Sequence, residues 1–177
     1  MLAFHRPVAE MNVLVVAGFW PTQSNSISGI FVVQQVAAMA RAGCSVTVIV
    51  PTTLWRDLGP LCTLSELGLD DSRIRLIKMP VLRLPEKVSL LPGALWLNTR
   101  FCSANLTRRI HRLGGSAGFQ ACIVHGIRYA GMGLPAWRRT IRGRVAIVVH
   151  GVDPFLAGDS SRRRALRFHE AAGNAAD

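Results

Sequence analysis

The sequence predicts an α/β protein with a Rossmann-like, doubly wound parallel sheet flanked by helices. The first observation is a continuous apolar run at residues 12–17, which is typical of a strand buried on both faces of a parallel sheet. The second is a change of period from Ile30, where apolar side chains share one helical face until Gly43 ends the helix. A second apolar run at 45–50 completes one βαβ unit.

The later elements follow from the same patterns. Residues 73–79 alternate charged and apolar side chains, which predicts a third strand near the edge of the sheet. Because proline lacks a backbone N–H, Pro51 is expected to end strand two and Pro80 to begin a loop after strand three. The remaining expected elements are a helix in the second part of 88–113, strand four at 120–124, a helix at 129–141, strand five at 144–149 and a last helix ending at 172.

Length and composition predict a single domain with a buried core. The chain has 177 residues, 50% of them hydrophobic, and a mean hydropathy of +0.29. Residues 1–10 are interpreted as an N-terminal extension and residues 11–177 as the domain. No apolar run is long enough to cross a bilayer, and the start lacks the apolar centre of a signal peptide. The expected location is the cytoplasm.

The formal charge of +11 comes from an excess of arginine, with 19 Arg and 2 Lys against 10 acidic residues. These arginines do not form a basic stripe interleaved with aromatic side chains, so no nucleic-acid partner is expected. Arg108, Arg109 and Arg112 lie on the polar side of the helix predicted within 88–113. That helix is either a packing helix with solvated arginines or a surface helix in peripheral contact with anionic lipid at the inner face of the membrane.

The four cysteines and the histidines give no metal-binding pattern. The cysteines contain no CxxC pair, and they are interpreted as small apolar side chains in a reducing compartment. Two histidines that follow strands, His125 and His150, have no third ligand at a suitable spacing. No metal and no cofactor are therefore expected.

Strands four and five each end in His-Gly, and the second continues to an aspartate. The residues are His125 and Gly126 after strand four, and His150, Gly151 and Asp153 after strand five. In an open parallel sheet, ligands bind beyond the carboxyl ends of the strands where the strand order reverses. If strands one and four flank that point, these residues converge with the loop at 18–29. Gly29, at the start of the first helix, would direct free backbone N–H groups toward an anionic ligand there.

Three common ligand-binding motifs are missing from this arrangement. A dinucleotide site needs G-x-G-x-x-G after strand one and an acidic residue at the end of strand two. Here Gly18 is followed by eleven residues to Gly29, and strand two reaches Pro51. The sequence also lacks the P-loop and the G-x-S-x-G elbow of α/β-hydrolases.

Three segments together resemble the N-terminal domain of GT-B glycosyltransferases of family 4. They are MNVLVVAGFWPTQSNSISGIFVVQQVAAMARAGCSVTVIVP, ACIVHGIRYAG and VAIVVHGVD, and the resemblance extends from Met11 to about Ala172. It implies transfer of a sugar from a nucleotide-sugar donor to an acceptor hydroxyl, with retention and without a metal. This half of such an enzyme mainly forms the acceptor side.

The resemblance also implies a role for each candidate residue. His150 would lie beside the transferring sugar, near the developing positive charge, and Asp153 would orient the loop that carries it. Gly29 would allow close approach of donor phosphate or acceptor. His125 would line the cleft, next to Gly126. Gly151 would be a further substrate-binding position.

The second α/β domain of a GT-B enzyme, with its paired glutamates eight positions apart, is not found in this sequence. The chain is therefore expected to be an isolated N-terminal half with little or no activity alone. It would be a truncated reading frame, a split enzyme, or a domain that needs a donor-domain partner chain. Two alternatives remain: a non-catalytic sugar- or lipid-binding module, and another nucleotide-sugar enzyme with a Rossmann-like sheet.

Overall fold

A computed structural model describes residues 11–53, 60–69, 72–81, 94–114, 118–126, 138–141 and 143–148. Within these ranges the chain forms five strands and two α-helices. Their bounds are β1 Asn12–Ala17, α1 Ile30–Arg41, β2 Ser45–Thr53, β3 Ile74–Val81, α2 Ala94–Arg112, β4 Ala121–His125 and β5 Arg144–Val148. Two 3₁₀ turns lie at Ser65–Leu67 and Arg138–Thr140.

The five strands form one parallel sheet in the order β3-β2-β1-β4-β5. The chain runs outward from β1 to β3 on one side and then returns to place β4 on the other side of β1. The predicted Rossmann-like α/β fold is thereby confirmed. The reversal of strand order lies between β1 and β4, which is the condition for a cleft shared by the predicted site residues.

Alternation along β1 divides the core into two layers. Val13 and Val15 belong to the layer under α1, and Leu14 and Val16 belong to the layer under α2. All four side chains are almost completely buried, as expected of a central parallel strand. The apolar run in β1 therefore reflects a strand covered by a helix on each face.

Both prolines that were expected to end strands lie within them. β2 continues through Pro51 to Thr53, and β3 continues through Pro80 to Val81. β1 pairs with β2 only as far as Ile49, so beyond that point one side of β2 is not paired with β1. β3 is the end strand of the described sheet. Proline is tolerated in both places because its missing N–H can face an unpaired side.

The helix predicted in the second part of 88–113 is confirmed as α2, and all four cysteines are buried thiols. Arg109 departs from the prediction, because it is half-buried rather than on the fully exposed side. Only the end of the helix expected at 129–141 is described, as a 3₁₀ turn. The last predicted helix lies outside the described residues. Within the described ranges, no helix has the length and hydropathy needed to cross a membrane.

Candidate functional site at the carboxyl ends of β1 and β4

The carboxyl ends of β1, β4 and β5 stay joined one residue beyond the strands. Ala17 pairs with His125, which in turn pairs with Val148. The Gly18 N–H donates to the His125 carbonyl oxygen at 3.0 Å, and the Gly126 N–H donates to the Val148 carbonyl oxygen at 3.1 Å. The backbone that follows β1 and β4 is therefore fixed at the point where the strand order reverses.

Gly29 holds the start of α1 against the backbone that leaves β1. Its φ of +76° lies in the left-handed region, and a Cβ there would come within 2.8 Å of the carbonyl carbon and oxygen of Phe19. A larger residue would meet both a strained backbone and a rigid neighbour. Glycine at this position thus allows α1 to begin directly over the end of β1.

Gly126, which follows β4, also lies against Phe19. Its φ is +85°, and a Cβ there would lie 3.3 Å from Cε2 of the Phe19 ring. Phe19 therefore contacts both predicted glycines, Gly29 through its backbone and Gly126 through its ring. This contact brings together two segments that are almost a hundred residues apart in the sequence.

His125 lies beneath this surface rather than on it. Its side chain is 1% exposed, and its ring centroid is 6.1 Å from that of Phe31, with the rings tilted by 44°. Phe31 is 36% exposed and Phe19 is 47% exposed. A ligand at this edge would meet the two phenylalanine rings first, with the His125 ring behind them.

A separate segment, residues 60–69, fastens the loop between β1 and α1. The buried indole of Trp20 donates from Nε1 to the Cys62 carbonyl oxygen at 3.1 Å. Backbone bonds join Gln23 N–H to the Pro60 carbonyl and Cys62 N–H to the Pro21 carbonyl, at 3.0 and 2.9 Å. We call residues 60–69 the brace. Because the brace bonds to the loop's backbone, it fixes the course of the loop at this edge of the sheet.

The brace has its own local stabilisation. The Glu66 carboxylate accepts hydrogen bonds from the backbone N–H and hydroxyl of Thr63, at 2.7 and 2.9 Å, and the Thr63 hydroxyl accepts from the Glu66 N–H at 3.3 Å. This reciprocal arrangement is a capping box. The Thr63 backbone N–H in particular holds the pKa of the exposed Glu66 carboxyl below its usual range.

The electrostatics of the loop side differ from the sequence expectation. Two of the first N–H groups of α1 are already engaged, since Ile30 donates to the Ile27 carbonyl at 3.2 Å and Val32 to the Gly29 carbonyl at 2.9 Å. The expectation that this terminus offers its N–H groups freely is therefore wrong for these two. No charged residue occurs from 11 to 40 in the sequence. The positive end of the α1 dipole is the main fixed charge that these residues supply.

The structure brings three predicted site residues together: Gly29, His125 and Gly126. The other three, His150, Gly151 and Asp153, lie outside the described residues. Sequence reasoning missed Phe19 and Phe31. Phe19 could have been noticed as a large apolar residue two positions after a buried strand, but nothing in the helical pattern distinguished Phe31. Within the described ranges, no three His, Cys, Asp or Glu side chains form a group that could hold a metal ion.

No protein-family model and no curated protein matches the sequence. Among solved structures, the chain is similar to a ugt transferase from Siraitia grosvenorii in complex with UDP, with a TM-score of 0.45 and 16% identity over 77% of this chain. It is also similar to LpCGTa in complex with UDP, with a TM-score of 0.44 and 17% identity over 78% of this chain. The matches cover 27% and 31% of those two chains, so this chain spans less than a third of either.

Proposed function

We propose that this chain is the acceptor-side domain of a GT-B-type, retaining glycosyltransferase. It would take part in moving a sugar from a nucleotide-sugar donor to an acceptor hydroxyl of a glycan, lipid or small molecule. One observation supports the proposal most strongly: the crevice between β1 and β4 is bordered by Gly29, Gly126 and Phe19, yet its loop lacks the dinucleotide motif. The sequence resemblance supplies the reaction class.

Each group at the crevice has a distinct proposed role. The close contacts of Gly29 and Gly126 with Phe19 fix the backbone that a sugar ring would approach. Phe19 and Phe31 provide apolar surface for the less polar face of the acceptor. His125 supports Phe31 from below and so positions the acceptor indirectly.

His150 and Asp153 are proposed to act on the transferring sugar. The described part of β5 ends at Val148, which pairs with His125, and His150 follows two residues later in the sequence. Electrostatic stabilisation of developing charge is often the largest single contribution to catalysis. The imidazole and backbone at His150 would supply it, with Asp153 orienting the loop and Gly151 leaving room for substrate.

A donor-side domain is the proposed partner of this domain. Transfer requires the donor and the acceptor hydroxyl to be held together, because proximity and orientation account for much of the rate. The chain alone is therefore expected to bind acceptor but to turn over a nucleotide sugar slowly or not at all.

Acceptor binding by the full chain tests the proposal. Saturation-transfer NMR with a panel of simple glycosides and lipid-like glycosides is expected to detect binding that Gly126→Val abolishes, because the valine side chain would collide with the Phe19 ring. Gly68→Val is the matched control, since Gly68 also has positive φ but open space around it. Binding of a nicotinamide dinucleotide in place of any glycoside, or equal binding by both variants, would contradict the proposal.

A non-catalytic sugar- or lipid-binding module is the second candidate. It is favoured by the almost complete burial of the His125 ring and by the exposed apolar rings in front of it, which suit binding more than proton transfer. His150→Ala separates the two: a transferase supplied with its donor domain loses turnover, whereas a binding module keeps its glycoside affinity and shows no turnover in either form.

A further inference from the structure

The solvent-facing side of α2 carries both exposed apolar and exposed basic side chains, and the proposed sugar site does not use them. Its exposed side chains lie at 97, 100, 101, 104, 108, 111 and 112. At 3.6 residues per turn these positions fall within an arc of about 120°. The opposite side carries Cys102, Leu106 and Ile110, all buried in the core under the sheet. The exposed arc, which we call the α2 outer face, is therefore one continuous surface.

The exposed apolar side chains of this face lie in the first part of the helix, and most of its basic side chains lie in the last turns. Leu97 and Phe101 are 38% and 39% exposed, one turn apart in the first part of the helix. Arg108 and Arg112 are exposed in its last turns, and Arg100 flanks the apolar pair. All 19 residues of α2 lack a carboxylate, so these cations face no acidic neighbour on their own helix.

We propose that the α2 outer face docks on an anionic lipid surface. Interfacial helices bury a few apolar side chains at the boundary of the acyl chains while arginines contact the lipid phosphates. The long arginine side chain suits this because its stem lies along apolar surface and its guanidinium stays at the phosphate level. Leu97 and Phe101 are the inserting residues, and Arg108 and Arg112 contact the headgroups.

Lipid fits the α2 outer face better than a nucleic acid does. A nucleic-acid surface needs positive charge interleaved with aromatic side chains along its length. Here Phe101 is the one phenylalanine, tyrosine or tryptophan among the exposed positions of the face, and it has Arg100 beside it but lies away from Arg108 and Arg112. A strongly basic chain can also adsorb to anionic lipid through its overall charge. The test must therefore distinguish such adsorption from docking by the α2 outer face.

Vesicle co-sedimentation of the full chain tests the proposal, comparing pure phosphatidylcholine with a mixture containing phosphatidylglycerol. Binding to the anionic vesicles only, weakened by about 0.5 M salt, is expected because salt screens the attraction. Arg108→Glu should lower affinity roughly tenfold, since each surface arginine contributes substantially to attraction. Arg41→Glu makes the same charge change at the exposed end of α1, across the sheet, and should have a much smaller effect.

A second pair of variants, one on the α2 outer face and one control elsewhere, tests the apolar part of the face. Leu97→Ala is expected to weaken vesicle binding several-fold, whereas Ile30→Ala, with 37% exposure against 38% for Leu97, should leave it unchanged. Circular dichroism confirms that each variant is folded. Equal losses from Arg41→Glu and Arg108→Glu, no effect of Leu97→Ala, or binding to RNA but not to vesicles would each overturn the proposal.

Discussion

At the scale of single residues, glycine at the candidate site is required by close contact and not only by chain flexibility. Gly29 combines a φ of +76° with backbone atoms of Phe19 less than 3 Å from the position that a Cβ would occupy. Gly43, which closes α1, has a φ of +93° but no atom within 4 Å of the corresponding position. The two glycines share a left-handed backbone and differ in whether a side chain would have room.

Gly29→Ala is therefore expected to destabilise the protein more than Gly43→Ala. Left-handed backbone costs about 1–2 kcal/mol for a residue with a side chain, and a forced contact adds about 1–3 kcal/mol. Urea unfolding should give a loss of about 2–5 kcal/mol for Gly29→Ala and about 1–2 kcal/mol for Gly43→Ala. Equal losses would show that the approach of α1 to Phe19 is not tight.

Cys122 gives a prediction about alkaline pH. Burial raises the pKa of its thiol from about 9 to about 12. Between those pH values the unfolded state binds fewer protons than the folded state, so the contribution to stability is complete below pH 9 and is lost as pH rises. The free energy of unfolding should fall by about 1.4 kcal/mol per pH unit from this thiol.

The contribution of Cys122 is measured as the difference in the free energy of unfolding between the native chain and a variant without the thiol. Other groups also titrate at alkaline pH, so the pH dependence of urea unfolding is compared between the native chain and Cys122→Ala from about pH 8 to about pH 10.5. The variant should be less stable at the lower end of this range and should have a shallower decline. Parallel curves would mean that the thiol is not in a low-dielectric environment.

At the scale of elements, the β1–α1 loop depends on the brace for its position. The Trp20 indole is 3% exposed and bonds to the carbonyl of Cys62, while two backbone bonds join the same segments on either side. By contrast, the side-chain bond from Gln23 to Glu66 is 3.4 Å long and exposed. The buried indole bond should therefore matter more to the shape of the loop than the exposed amide bond.

Trp20→Phe tests the importance of the brace. Leaving the buried Cys62 carbonyl without its partner should cost about 1–3 kcal/mol and should speed hydrogen exchange at the amides of Gln23 and Cys62. Gln23→Ala, which removes only the exposed side-chain bond, should change stability by less than about 0.5 kcal/mol. If exchange at these amides is unaffected in Trp20→Phe, the loop is fixed by something other than the brace.

The contact of the brace with the β1–α1 loop could not be predicted from the sequence. Residues 60–69 have no helical or strand period, so nothing in the sequence connected them to the loop at 18–29. Pro51 and Pro80 were expected to end strands because proline removes one N–H. Their tolerance depends on which neighbours a strand has at that point, and that is a property of the assembled sheet.

At the scale of the whole molecule, the sequence predicted the strands but located the crevice only on the condition that strands one and four flank the reversal of strand order, and the structure meets that condition. Local patterns in the sequence predicted the strands, the helices between them and the His-Gly segments at the ends of strands four and five. The reversal between β1 and β4 is one of the strand orders that doubly wound sheets adopt, and the local patterns do not choose among them. The contact of Phe19 with Gly126 joins distant segments, and the tilt of Phe31 over His125 depends on side-chain packing, so no local pattern could predict either.

The crevice between β1 and β4 is the proposed ligand site, and the fold places it where open parallel sheets bind their ligands. The most direct measurement is a map of backbone amide shifts by NMR on addition of the glycoside that binds best. We expect the amides of Gly18, Gly29 and Gly126 to shift together, while those of Gly43 and Gly68 stay in place. Shifts confined to Gly43 and Gly68, or spread evenly over the chain, would contradict a ligand site in this crevice.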